Sequence, residues 1–277
     1  MTHWTTRTLL MALLILPALV SADPLVPASQ IRIAGVGGAQ TTIRILSEAF
    51  QKIHATTTFV MVPALGSSGS VKALLAGAID LAIVGRPLKE AERDQGVLVT
   101  DYARTPFVFA TASQSNVSAI TLPELVGIYS GELQTWPDGR LMRLVLRPET
   151  EPDTENTKKL SSAMRRAVET AHSRKGMIIA NTDQESALSI ETIPGAIGTT
   201  SLAQIISEKR ALQPLALDGV APSLKHLADG SYRYFKTFSL VSTTKTDPLV
   251  RQFIAFVRSP AGQQILEKNG QSPVSAP

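Results

Sequence analysis

The sequence predicts an α/β protein, a mixed sheet flanked by helices, and three observations carry that prediction. Short apolar strands alternate with amphipathic helices along the chain. Two strands run into small-residue loops that open helices, Gly35-Val36-Gly37-Gly38-Ala39-Gln40 and Gly66-Ser67-Ser68-Gly69-Ser70. The length, 277 residues of which 44% are apolar and 18% charged, suffices for a large core divided into two lobes and argues against disorder.

The N-terminus carries Arg7, the apolar run Leu9 to Val20, and Val20-Ser21-Ala22 before Asp23. The run is short for a bilayer and small residues stand where a signal peptidase cuts, so residues 1–22 read as a signal peptide. A soluble periplasmic product follows; an uncleaved anchor is the alternative. Ile31 to Ala34 is the first strand, and an amphipathic helix is expected from Thr41 to His54. The loop between them lacks the third glycine of GxGxxG and the later acid, which excludes a dinucleotide fingerprint. Thr58 to Val62 is the second strand, with a helix over Val71 to Leu75. A buried strand from Ala78 ends on Gly85 and Arg86, the place where open α/β sheets bind ligands.

Strands are expected at Gly96 to Thr100 and Phe107 to Thr111, on either side of Tyr102 to Pro106. Thr121 caps a helix with Pro123 in its first turn. Trp136, beyond that helix, reads as a core anchor. Leu144 to Arg147 is a strand ending in a cation, followed by Glu149, Glu151 and Asp153 and a helix from about Glu155 to Thr170. Asp183 opens another helix, Ile193 to Thr200 closes with a strand, and Ala211 to Leu217 is a further strand. Leu224 to Gly230 is a short connection, Tyr232 to Val241 a returning strand, and two amphipathic helices occupy Pro248 to Val257 and Ser259 to Gly270.

The net charge of +4, from 27 basic and 23 acidic residues, is too slight to imply nucleic acid, and no basic run or basic–aromatic patch occurs. With no cysteine, disulfides, thiolate metal sites and a cysteine nucleophile are excluded. His3, His54, His172 and His226 fall in no metal or nucleophile spacing, and neither HExxH nor GxSxG is present. The sequence therefore reads as a non-enzyme without catalytic residue, metal or cofactor.

The Gly66–Ser70 loop carries the sharpest chemistry. At a helix start the first backbone N–H groups lack partners and the macrodipole favours negative charge, so glycines and hydroxyls there suit an oxyanion. An ordinary strand-to-helix turn with a serine cap explains the same residues.

Four separated stretches share one family pattern: the span Pro63 to Leu88, the segment Leu125 to Trp136, Pro194-Gly195-Ala196-Ile197-Gly198, and Ser259 to Ile265. In that order the chain resembles the phosphate-binding proteins of ABC importers, in the type II periplasmic binding protein family. The resemblance implies a two-lobe periplasmic binding protein-like fold, with residues 23–104 plus 236–277 as lobe 1 and 105–235 as lobe 2. It also implies capture of an oxyanion, inorganic phosphate, and a monomer that delivers to an inner-membrane ABC permease. The ligand-binding positions it points to are Gly38, Ala39, Gln40, Ser67, Ser68, Gly69, Gly85, Arg86, Arg147, Glu149 and Thr154.

Two departures from the family pattern stand out. Glu151 and Pro152 replace the first two residues of a Ser-Gly-Thr turn, and Gly85 stands where an acid or serine is common. Two lost donors would weaken binding by about 3–6 kcal/mol, since a hydrogen bond to a charged group contributes about 1.5–3 kcal/mol and proline has no N–H. The acids suit a helix cap equally well. Either Glu149 or Glu151 is expected to enter the anion pocket and pair with Arg147 or Arg86, in which case the protein is a diverged binding protein that acts as a sensor or interaction module.

Overall fold

The computed structural model describes Met1 and residues 29–63 and 65–274, so the segment expected to be a signal peptide, apart from Met1, lies outside the described residues. The chain runs β1 (Ser29–Gly35), α1 (Gly37–Gln51), β2 (Thr57–Met61), α2 (Gly66–Leu75), β3 (Leu81–Val84), α3 (Glu90–Arg93) and β4 (Val97–Ala112). Next come β5 (Ala119–Ile120), α4 (Leu122–Ser130), β6 (Arg143–Leu146), α5 (Pro152–Lys158), α6 (Ser162–Ser173), β7 (Ile178–Ile179), α7 (Asp183–Thr192), β8 (Ala196–Ser201) and α8 (Leu202–Ser207). β9 (Leu212–Pro214), β10 (Ala216–Leu217), α9 (Leu224–Ala228), β11 (Phe235–Thr243), α10 (Pro248–Val257), α11 (Pro260–Lys268) and β12 (Ser272–Pro273) complete it.

The main sheet has the order β2-β1-β3-β11-β4-β8-β6-β7. β1 is parallel to β2 and β3, and β6 is parallel to β7 and β8, whereas β11 and β4 are antiparallel to their neighbours. Two main hydrophobic clusters share this sheet. Ile33, Ile43, Phe50, Tyr102, Phe238, Phe253 and Val257 make one, with the Phe50 and Phe253 rings edge to face at 5.4 Å. Phe107, Phe109, Tyr129, Trp136, Met164 and Tyr232 make the other, tied to β4 by the Tyr232 hydroxyl donating to the Phe107 carbonyl at 2.8 Å. β4 serves both, because Tyr102 and Ala103 join the first cluster and Phe107 and Phe109 the second.

Several elements differ from the sequence expectation, α2 among them, which takes in the expected Gly66–Ser70 loop and starts at Gly66 rather than Val71. The two strands on either side of Tyr102 to Pro106 are one, β4, 16 residues long. It changes partner, from β11 up to Pro106 to β8 from Phe107, so the proline that cannot donate sits where the ladder changes hands. α1 begins four residues earlier than expected, at Gly37. The helix expected over 155–170 is two helices, because Ser161 turns extended and its hydroxyl accepts the Met164 amide to start a second. The strand expected over Ala211 to Leu217 is split into β9, paired with β4, and β10, paired with β5.

Candidate functional site

The carboxyl ends of β1, β3, β6 and β7 deliver Val36, Gly85, Arg147 and Asn181 to one cavity of about 150 Å³. That is well under the roughly 300–1,000 Å³ of pockets for drug-sized ligands, and suits a small polar one. The starts of four helices converge there: Gly37 of α1, Gly66 and Ser67 of α2, Glu151, Pro152 and Asp153 of α5, and Thr182 and Asp183 of α7.

Three of these helices lack a capping side chain. Val36, Leu65 and Glu151 stand at the N-caps of α1, α2 and α5, and no side chain of theirs accepts a capping hydrogen bond from the helix. The fourth, α7, is capped by Thr182, as α4, α6, α8, α9, α10 and α11, which start away from the cavity, are each capped by a Thr, Ser or Asp side chain. First-turn amides need a partner, so heads left open toward a shared polar space are set up for a negative group. Gly66 adds a backbone reason for its identity, adopting φ +64° in a conformation that L side chains rarely take. The Ser67 hydroxyl accepts the Gly85 amide at 3.0 Å, which leaves its own proton to donate.

Two cations and three carboxylates line the cavity. Lys236 on β11 is paired with Asp153 at 2.5 Å, both being almost fully buried. Arg147 donates through Nη1 to the Ala180 carbonyl at 2.7 Å. Its Nη2 lies 3.6 Å from Glu151 and 3.8 Å from Asp183. Its Nε–H is buried without a partner. Asp183 reaches further: its Oδ2 accepts the Gly38 amide of α1 at 3.0 Å. Beside it the Gln184 side chain donates to the Gly37 carbonyl at 3.1 Å. Burial, together with the neighbouring Asp183 and Asp153, pushes the Glu151 carboxyl above the usual glutamate range, against the pull of Arg147 and Lys236.

Of the sequence-predicted positions, Ser67, Gly85 and Arg147 line the cavity, and Gly38 reaches it through its amide. Ala39 is fully buried in the core and Gln40 donates to the Val62 carbonyl, so both face away from it. Ser68 and Gly69 are not in the wall, and the Ser68 hydroxyl instead accepts from Arg86. Arg86 itself is engaged with Glu92 at 2.7 Å and opens on a neighbouring groove. Glu149 is exposed and outside the cavity, whereas Glu151 enters it and pairs with Arg147, which answers the expectation that one of them would. The Thr154 hydroxyl supports the turn beneath Arg147, donating to the Arg147 and Pro148 carbonyls. Asp183 and Lys236 were missed: one reads as a helix-opening acid, the other as a polar position in a returning strand. The absence of a capping residue at Val36 and Leu65 was a readable signal.

Uncapped helix heads and buried cations around a small cavity at strand carboxyl ends define the class as an α/β binding protein for a small ligand. The profile of the PBP superfamily domain matches residues 23–261, and the chain belongs to that superfamily. It is 27% identical over 250 residues to the phosphate-binding protein PstS of Borreliella burgdorferi, covering 86% of this chain and 89% of the relative. It is also similar to a putative phosphate ABC transporter substrate-binding protein with bound phosphate from Clostridium perfringens. There the TM-score is 0.76 at 18% identity, over 89% of this chain and all of the other. An ABC-type phosphate transport receptor from Vibrio cholerae aligns with a TM-score of 0.62 at 17% identity, over 87% of this chain and 99% of the other. The structural likenesses establish the fold.

Proposed function

We propose that the protein is a solute-binding protein of an ABC importer that captures an oxyanion, inorganic phosphate. One observation carries the reading: the heads of α1, α2 and α5, none with a capping side chain at its own N-cap, converge with Arg147 and Lys236 on one small cavity. The names of the relatives, a phosphate-binding protein, a phosphate transporter's substrate-binding protein and a phosphate transport receptor, support both the ligand class and a non-catalytic role. The ligand is held by the amides at the head of α2, by Ser67, Gly85 and Arg147, and by the Gly38 amide once Asp183 withdraws. Residues 23–104 plus 236–277 and residues 105–235 act as two lobes, a division supported by the two main hydrophobic clusters, whose buried members cross it only at Ala203. Ligand favours the closed arrangement because only there do donors from both lobes reach it. The protein acts as a periplasmic monomer, released from its signal peptide, and hands phosphate to a membrane permease. Among the described residues no helix is long and apolar enough to cross a membrane.

Calorimetry with phosphate, sulfate and molybdate tests this reading. Saturable phosphate binding that is lost in Arg147→Met is expected. No saturable phosphate binding in either the wild type or Asp183→Asn overturns it. A second reading, a diverged sensor or interaction module that takes another anion or a protein partner, is favoured by the three carboxylates in the cavity wall, and that negative result would leave it standing.

A further inference from the structure

We propose that Asp183 is a built-in competitor for the anion: the carboxylate from lobe 2 occupies the head of α1 where a ligand oxygen would sit, and it tethers the lobes until an anion displaces it. The inference rests on the oxyanion reading of the same cavity.

Both oxygens of Asp183 stand where an oxyanion would. Oδ2 takes the Gly38 amide at 3.0 Å. Oδ1 lies 3.8 Å from Arg147 Nη2 and 3.9 Å from Lys236 Nζ. α1 has no capping side chain of its own, so its cap is supplied from 145 residues further along the chain. The glycines at the start of α1 admit it: a Cβ at Gly37 would come within 3.0 Å of Asp183 Oδ2 and 2.4 Å of Gln184 Oε1.

The fit to the cations is nevertheless loose. Separations of 3.8 and 3.9 Å are too long for hydrogen bonds, and Arg147 keeps a buried Nε–H without an acceptor. A planar carboxylate fixed to α7 satisfies the α1 amide but cannot also reach Arg147. A free tetrahedral oxyanion can reach both. With Glu151 and Asp153 already in the wall, a dianion and an ionised Asp183 would repel each other at close range, so the two are alternative occupants.

Asp183→Asn tests this, because the amide oxygen still accepts from Gly38 while the charge is gone. Inorganic phosphate titrated by calorimetry is expected to bind Asp183→Asn about tenfold or more tighter than the wild type. In parallel, dyes on cysteines introduced at the exposed Lys52 and Arg166, in a chain without native cysteine, report lobe separation by energy transfer. Without phosphate, Asp183→Ala is expected to show a longer separation than the wild type. Equal or weaker phosphate binding by Asp183→Asn, together with an unchanged separation in Asp183→Ala, overturns the competitor and leaves the phosphate reading intact. Lobes that open in Asp183→Ala while neither protein binds phosphate would support the tether and overturn the phosphate reading instead.

Discussion

The Ser67 hydroxyl and the Gly85 amide meet at 3.0 Å and join the head of α2 to the end of β3. Both residues are buried and line the cavity, and the serine keeps its own proton to donate. Ser67→Ala therefore removes a donor to the ligand and leaves a buried N–H without an acceptor. The second loss costs about 1–3 kcal/mol of stability, and the first weakens phosphate by roughly ten- to a hundredfold. Denaturant unfolding and calorimetry on the same variant separate the two effects.

Glu151 imposes a pH dependence. Burial raises its carboxyl above the usual range, so the folded protein holds this proton more tightly than the unfolded chain. The ionised side chain is accordingly a cost at neutral pH, and the cost disappears as pH falls through the raised value toward the ordinary glutamate range. Glu151→Gln is expected to be more stable than the wild type at pH 7–8, with the gap closing on acidification. It is also expected to bind phosphate several-fold tighter at neutral pH. Melting curves across pH check the first outcome; a gap over the wild type no larger at pH 7 than at pH 4 contradicts it.

Arg86 and Arg147 separate a structural cation from a binding one. Arg86 donates two hydrogen bonds to Glu92, which hold that carboxyl below the usual range. Stability from this pair is complete above the ordinary glutamate range and is lost as pH falls through the depressed value. Arg86→Met is expected to reduce stability by about 1–3 kcal/mol and leave phosphate affinity within about threefold. Arg147→Met is expected to abolish binding. Equal losses of affinity in the two variants would place Arg86 back among the ligand donors.

What was legible in the sequence follows from where the information is local. Strand ends at Gly85 and Arg147 and the small-residue turn at Ser67 announce themselves within a few residues, because a strand that stops at glycine or a cation before a helix has few other uses. The register of β4 is not local. Its continuity through Pro106 depends on β11 and β8, strands far along the chain that accept it on either side of the proline. Asp183 is hidden for the same reason. An acid at a helix start stabilises the dipole whether it meets water or another helix, and only the tertiary arrangement decides that it meets Gly38. Lys236 lies in a strand whose alternation fixes the side it faces but not that Asp153 waits there.

Trp136 gives a control in which stability and binding part company. It is 5% exposed in the second cluster, lines none of the anion cavity, and donates its indole N–H to the Gly195 carbonyl at 3.0 Å. Gly195 holds that turn at φ +75°, where a Cβ would collide with the Leu141 carbonyl oxygen. Trp136→Ala should therefore leave an unfilled space and cost about 3–5 kcal/mol, while Trp136→Phe, which keeps most of the volume but loses the donor, should cost about 1–3 kcal/mol. Phosphate affinity in Trp136→Phe is expected to match the wild type. Apart from Trp4, Trp136 is the chain's one tryptophan, so its emission should follow unfolding closely and stay flat during a phosphate titration of the folded protein. A phosphate-dependent change in that emission would mean that ligand binding reorganises the second cluster rather than only the cavity.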